Sequence, residues 1–491
     1  MGDLARFGGR ALRTAALFLM TSGAAVATAA ASDVAPTADG AQKLDALFAT
    51  YLGANVAATT TQGDHYVVSI DVAKLLAPLA AEGVKIDMAA PQLNLTEQSD
   101  GTWRVTRDGY PPVNVHFKDG DISANFDSYK FAGVYDPAIF GFRDAKGDSD
   151  KGAFQVHSPE VDETGGFGSL HFAMTGAGAA AGGLSGTVHE EVNDLSVVAL
   201  SKKAEASAGS PPAPVTIRSE GMTVDVKFDN VRARQLIDLW AFLVAHPSRA
   251  ELAANQDALK TKLLALLPFA DKLDETFALR KLSVETPKGL VKLASVNGHF
   301  AADQFPSKGG NELHLAFEGV EPPPNAVPAA FQPFIPTAMD LNVRYSGYDY
   351  GAAAAEAIKD LDLAGEGPVI PEADRPQIAA RMMSGGPIVV TIQHSRILAP
   401  QLDLSVEGEI RVTGAHPEGK IIVKAHDFEK TFAAVKGMGP LATPQVIAGI
   451  TMAKGLAKAD PADGTLIWVA EYGPDGAMKV NGLPLGKAPP Q

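Results

Sequence analysis

The residue patterns that most resemble reactive chemistry lie between positions 176 and 193. Gly183-Leu184-Ser185-Gly186 approaches the G-x-S-x-G turn that lifts a nucleophilic serine, but Thr187 stands where the last glycine belongs. No serine precedes a lysine by three positions, so the S-x-x-K acyl-enzyme pattern is absent. His189-Glu190-Glu191 opens like H-E-x-x-H, yet Asn193 replaces the second histidine and leaves one zinc ligand where that turn supplies two. Gly176-x-Gly178-x-x-Ala181 has dinucleotide-loop spacing, but Thr187-Val188 predicts a following strand, without the helix whose N-terminus would hold a pyrophosphate. Asp144, Asp148 and Asp150 offer hard oxygen ligands of the kind calcium takes; Gly152 is out of register for an EF-hand and Lys146 and Lys151 offset the charge, so a hairpin loop is expected. The 11 histidines are widely scattered, with no i, i+4 pair. These readings assign no catalytic, cofactor-binding or metal-ligating residue and no cofactor, and they point away from an enzyme.

The elements carrying these residues read as short strands punctuated by Gly, Asp and Pro. Hairpin turns are predicted at Ser99-Asp100-Gly101, at Lys118-Asp119-Gly120-Asp121, at Thr286-Pro287-Lys288-Gly289 and at Pro474-Asp475-Gly476. Helical spacing is clear in Leu236, Ile237, Leu239, Trp240, Leu243 and Val244, which form one apolar stripe expected to face the core. It ends at His246-Pro247; Ser248 and Glu251 then form a capping box for a second helix through Leu252, Leu259, Leu263 and Leu266. A strand, an Asp or Asn cap and a helix recur at Asp71, Asp229-Asn230, Asp349 and Asp427. The fold class expected is α+β: β-rich, with a long, curved, mainly antiparallel sheet and a few amphipathic helices packed on one face.

Residues 1–31 read as a secretory signal. Arg6, Arg10 and Arg13 precede an apolar run, Ala15 to Val26, too short to span a bilayer, and Ala29-x-Ala31 supplies small residues for cleavage. A periplasmic location follows as an expectation, with no permanent membrane span after cleavage. The 491 residues contain no cysteine, which removes disulfides, thiolate metal sites and a lipidated N-terminal cysteine. The chain carries a net charge of −15, disfavouring nucleic acid as a partner; a cell-envelope protein or a lipid is the expected one. The expected organisation is a β-rich domain over 32–203, a linker over 204–216 that reads AEASAGSPPAP from Ala204 to Pro214, and an α+β domain over 217–491 with a helical hairpin at about 230–267. The segment AGAAAGGLSG, Ala177 to Gly186, predicts a mobile loop or a thin strand closely approached by other backbone.

The stretch Leu236 to Ala301, which includes FALRKLSVETPKGLVKLASVNGHF, resembles the central part of the YdgA-like family of uncharacterised exported bacterial proteins. The ending TLIWVAEYGPDGAMKVNGLPL is similar to that family's closing hairpin. The resemblance implies an extended β-rich envelope protein and carries no catalytic residue across. Three functions fit: a non-enzymatic periplasmic binding or scaffolding protein, a carrier of a lipid or other apolar ligand in a groove between sheet and helices, and a hydrolase acting on a cell-wall or glycan polymer.

Overall fold

The computed structural model describes residues 32–487 apart from 78–79, 81–82, 180–181, 203–212, 306–308, 325, 366, 385 and 413–416. The expected signal and most of the expected linker fall outside the described residues. Contact density divides the chain into two compact units, one of residues up to 212 with 223–255, the other of 213–222 with 256–491. Both are antiparallel and β-rich, with helices inserted between strands. Among the described residues no helix is long and apolar enough to cross a membrane.

In the first unit, α1 (Ala38–Leu52) lies against the hairpin β1 (Ala57–Gln62) and β2 (His65–Ile70), which continues through the short helix α2 (Val72–Leu75) and β3 (Lys85–Asp87) to β4 (Gln92–Glu97). Ala41 and Leu44 of α1 meet Tyr66, Val68, Leu95 and Val105 in the core. The approach is close enough that a Cβ on Gly40 would fall 2.1 Å from the Tyr66 hydroxyl, which accepts the Thr37 N–H at 3.0 Å. The expected turn at Asp100-Gly101 joins β4 to β5 (Trp103–Phe117), and Gly101 takes the left-handed φ of 81° that such a turn asks of glycine.

From here the strands are long and interrupted rather than short. β6 (Gly120–Asp136) pairs in one register with both β7 (Gly141–Ser149) and β8 (Lys151–His157). The same two strands pair with β10 (Ser169–Gly178) and β9 (Val161–Phe167), and those with β11 (Leu184–Ser201). The break between β7 and β8 falls at Asp150, opposite Ser128 with φ of 52°, and the register is the same on either side of it. Ser149, 2% exposed, closes it: its hydroxyl lies 2.9 Å from the carbonyls of both Asp127 and Lys151. Asp144–Ser149 is therefore strand, not the expected hairpin loop, because β6 and β10 pair it from both sides, and Asp150 is the break that follows it. The glycine-rich Ala177–Gly186 segment spans the tip of the β10–β11 hairpin, and backbone approaches it closely: a Cβ on Gly186 would sit 2.0 Å from the Thr175 carbonyl.

β12 (Val215–Val231) leads to α3 (Ala233–Ala245), the expected stripe helix. Only Leu239 of that stripe is buried; Leu236 and Trp240 are about two-fifths exposed, and the Trp240 indole donates to the Tyr51 carbonyl at 2.7 Å. The stripe thus docks on the end of α1 along one edge instead of sinking into a core. The Ser248–Glu251 capping box forms as expected, but the helix it starts divides at Asn255 into α4 (Arg249–Ala254) and α5 (Gln256–Ala265).

The second unit is a meander: β13 (Ala270–Thr286), β14 (Gly289–Phe305), β15 (Asn311–Glu318), β16 (Ala338–Ser346), β17 (Ile388–Ala399), β18 (Leu402–Val412), β19 (Pro417–His426) and β21 (Leu466–Tyr472) pair in sequence. The two-residue β20 (Lys458–Ala459) also pairs β21, whose other continuation runs through β22 (Ala477–Val480) to β23 (Leu483–Lys487). The buried serine recurs: the Ser219 hydroxyl lies 2.9 Å from the carbonyls of Gly221 and Arg280, beside Lys281 with φ of 47°. Two helical excursions leave this meander, α6 (Tyr350–Asp360) with α7 (Arg375–Met382) after β16, and α8 (Phe428–Lys436) with α9 (Pro444–Leu456) after β19.

Candidate functional site

One concavity lies in the excursion between β16 and β17. Asp349 starts α6 as expected, its carboxylate accepting the Ala352 N–H at 2.8 Å, while its own N–H donates to the Met382 carbonyl at the end of α7. The two helices are clamped by Glu356, 8% exposed, which accepts from Gln377 at 2.7 Å and lies 3.3 Å from the Arg381 guanidinium. Burial pushes that carboxyl up, but Gln377, Arg381 and Lys359 together hold it below its ordinary value. The returning segment is fixed by Asp362, whose N–H donates to the Val369 carbonyl at 2.8 Å, and by Gln256 of α5, which accepts the Leu363 N–H at 2.6 Å.

What these clamps hold open is a cavity of about 540 Å³ lined by Ala353, Pro368, Val369, Ile370, Ile378, Ala379, Met382 and Arg375. Its volume is that of a small-molecule site. Arg375 is the one charged residue of the lining, and its exposed ion pair to Glu372 at 3.5 Å is weak enough to be exchanged for another anion. The lining is apolar apart from that guanidinium, a chemistry suited to an apolar body with an anionic end. The expected groove lay between sheet and helices; the cavity instead lies between two helices and the 368–370 segment.

A second pocket of about 250 Å³ opens on the β17–β19 surface, lined by His394, Arg396, Ser405, Val406, Glu407, Lys424 and His426. Alternation along the strands places Arg396, Ser405 and Lys424 side by side, since Ser405 is paired with both neighbours. Ser405 Oγ lies 3.3 Å from His426 Nε2, His426 Nδ1 lies 3.1 Å from Thr465 Oγ1, and Asp463 accepts the Thr465 N–H at 2.9 Å. Hydrogen bonds from Thr465 hold the Asp463 carboxyl below its usual range.

This chain of groups resembles a nucleophile–base relay and falls short of one on three counts. The serine–histidine separation exceeds that of an engaged pair, the imidazole meets a hydroxyl in place of a carboxylate, and Ser405 sits within β18 with a paired strand on each side. The cations are also spoken for. Arg396 grips Asp403 through two bonds of 2.9 and 2.6 Å, and Lys424 lies 2.7 Å from Glu407, which also meets His394 at 3.0 Å. Arg396 accordingly holds Asp403, and Lys424 holds Glu407, below ordinary carboxylate values. The pocket is a self-satisfied polar network.

The motifs near residues 176–193 do not converge. Ser185 donates to Asp229, His189 Nδ1 lies 2.8 Å from Asp225, and Asp148 pairs with His171 at 2.7 Å: each is a polar pair between strands on an exposed surface. Gly176 and Gly178 lie in β10, followed by the strand β11, and Ala181 lies outside the described residues. Among the described residues no group of three His, Asp or Glu side chains is placed to hold a metal ion. Glu190 does differ from its neighbours: it is 4% exposed, its Oε1 has no hydrogen-bond partner, and burial pushes its carboxyl up to about 7.

Residues 207–489, which carry both concavities, match a family described as an uncharacterized protein conserved in bacteria, DUF2125. The chain belongs to the DUF2125 family. Its family-matched part runs from within the expected linker nearly to the last residue, so α3, the α6–α7 cup, the polar pocket and the α8–α9 excursion are all within it, whereas β1 to β11 precede it. Neither curated proteins nor solved structures contain a match to this DUF2125 chain. In the sequence the cup gave no signal, because its lining comes from two short helices and a Pro-Val-Ile segment that carry no reactive side chain.

Proposed function

We propose that this DUF2125 protein is an exported, non-enzymatic binding protein of the cell envelope that holds an amphiphile, its apolar body in the α6–α7 cup and its anionic end at Arg375. The observation carrying the reading is the lining itself: an apolar cavity of about 540 Å³ whose one charged residue is weakly paired. Export to the periplasm is supported by the Arg-rich start and apolar run of residues 1–31. The likeness of the central and closing segments to YdgA-like proteins supports the same compartment. A curved sheet with helices returning to one face belongs to this reading, supported locally by α8 and α9, which both reach Trp468: Phe428 lies 6.0 Å from its ring and the Ala453 carbonyl accepts its N–H at 2.7 Å.

The test is native mass spectrometry, with solvent extraction, of residues 32–491 purified gently from periplasm. A stoichiometric apolar ligand is expected, displaced in an Ile378→Trp variant whose fold is intact by circular dichroism. Protein that is empty on purification and also fails to take up a fluorescent fatty acid refutes the proposal.

A further inference from the structure

The meander of the second unit brings together two histidines that are well separated in the sequence. His299 of β14 and His314 of β15 stand directly opposite each other in the antiparallel register, so both imidazoles share one face of the sheet, with their Cβ atoms about 5 Å apart. Other histidines also pair with acids but have no imidazole across from them: His171 faces Asp148 and Glu191, and His189 faces Ala173. The His299 and His314 side chains are 27% and 31% exposed, open to an ion from solvent and free to turn without unpacking a core.

Each imidazole is held by a carboxylate on the strand beyond it. His299 Nε2 lies 3.3 Å from Asp274 Oδ2 on β13, and His314 Nε2 lies 3.0 Å from Asp340 Oδ1 on β16. An ionised carboxylate only accepts hydrogen bonds, so in the neutral imidazoles Nε2 carries the proton and Nδ1 keeps its lone pair. Neither Nδ1 has a hydrogen-bond partner among the described residues. This is the outer half of a carboxylate–histidine–metal arrangement, in which the acid fixes the tautomer and makes the other ring nitrogen a better ligand. It is present once on each side of the β14–β15 ladder.

We infer that His299 and His314 bind one divalent transition-metal ion through their Nδ1 atoms, with Asp274 and Asp340 as the outer carboxylates and water completing the coordination. Two imidazoles select ions such as zinc and copper, whereas calcium and magnesium take oxygen ligands. The two carboxylates match the two charges of the ion, so binding leaves the site neutral. With two direct ligands the site is weaker than a structural zinc centre, in keeping with the absence of a three-residue ligand group among the described residues. It lies on the strands of the meander, and the cup takes no part in it.

Isothermal titration with zinc chloride, on protein purified without a histidine tag, tests it. One Zn²⁺ per chain is expected, and Ca²⁺ gives no binding heat. His299→Gln and His314→Gln each abolish the stoichiometric site, and Asp274→Asn combined with Asp340→Asn weakens it about tenfold. His171→Gln, which removes a histidine paired with an acid but facing no second imidazole, leaves it unchanged. Circular dichroism establishes that each variant is folded. The electron paramagnetic resonance of bound Cu²⁺ separates ligation from a structural effect: two nitrogens couple to the metal in the wild type and one in either histidine variant. Absence of Zn²⁺ binding, an affinity indifferent to His299 and His314, or a single coupled nitrogen in the wild type overturns the inference.

Discussion

Glu190 sits in the middle of β11 opposite Phe172 of β10, 4% exposed and with Oε1 unpartnered. Loss of solvation raises its carboxyl from an ordinary 4.5 to about 7, against a small opposing pull from His189. The folded chain therefore keeps a proton that the unfolded chain releases between these values. Stability is highest below the unfolded pKa and falls as pH rises toward and through 7. The shift amounts to about 1 kcal/mol of penalty at pH 5 and about 3 kcal/mol at pH 8. Glu190→Gln keeps the shape and abolishes the ionisation, so its stability advantage over the wild type should grow by about 2 kcal/mol between pH 5 and pH 8. Urea unfolding at a series of pH values, followed by tryptophan fluorescence with circular dichroism as a second probe, measures this difference directly. An advantage that stays constant across that range refutes the assignment of a buried, unpaired carboxyl.

Four further outcomes follow from the packing. Ser149→Ala leaves the carbonyls of Asp127 and Lys151 without their hydroxyl in a site 2% exposed, and should cost about 1–3 kcal/mol in urea unfolding; Ser149→Thr, which keeps the hydroxyl, separates this loss from crowding. Gly40→Ala drives a methyl to 2.1 Å from the Tyr66 hydroxyl and should lower the melting temperature by several degrees, an effect that Tyr66→Phe partly relieves. Asp349→Ala removes the cap of α6 and should cost about 1 kcal/mol while weakening uptake of a fluorescent fatty acid by the cup; Asp349→Asn retains most of both. Arg375→Gln should reduce binding of an anionic amphiphile but leave its neutral methyl ester unaffected, as read by fluorescence titration.

The turns were legible because they depend on single residues. Gly101, Gly289 and Gly476 take φ of 81°, 120° and 77°, conformations that favour glycine, and each joins the strands expected on either side. Two of the four recurrent acid caps were legible for the same local reason: Asp71 accepts from Lys74 N at 3.0 Å and Asp349 from Ala352 N. At the other two the residue type is the same and the physics differs. Asp427 has φ of 53° and makes no capping bond, and Asn230, with φ of 51°, turns its side chain across to the Gly183 N–H at 3.1 Å, leaving Arg232 at the helix start. Asp and Asn tolerate the left-handed region nearly as well as they cap, so composition alone does not tell a cap from a bend.

The long interrupted strands were illegible for a related reason. Asp, Lys, Gly and Ser fill Asp144 to Asp150, so the stretch looks like a polar loop although Asp144 to Asp148 pairs with a strand on each side. The signal that marks it is a small buried hydroxyl facing a left-handed residue across the ladder: Ser149 with Ser128, and Ser219 with Lys281. Each hydroxyl lies within reach of the carbonyl just before the left-handed residue and of the carbonyl two positions beyond its own, so its one proton serves either acceptor where the ladder is interrupted. The same device is found in both units, at Ser149 and at Ser219, and it keeps a polar contact for buried carbonyls where a long ladder is interrupted. The cup depends on none of this. It arises where the meander is interrupted and helices clamped by Glu356 leave space between them, so it is a property of tertiary closure that no residue in its lining announces.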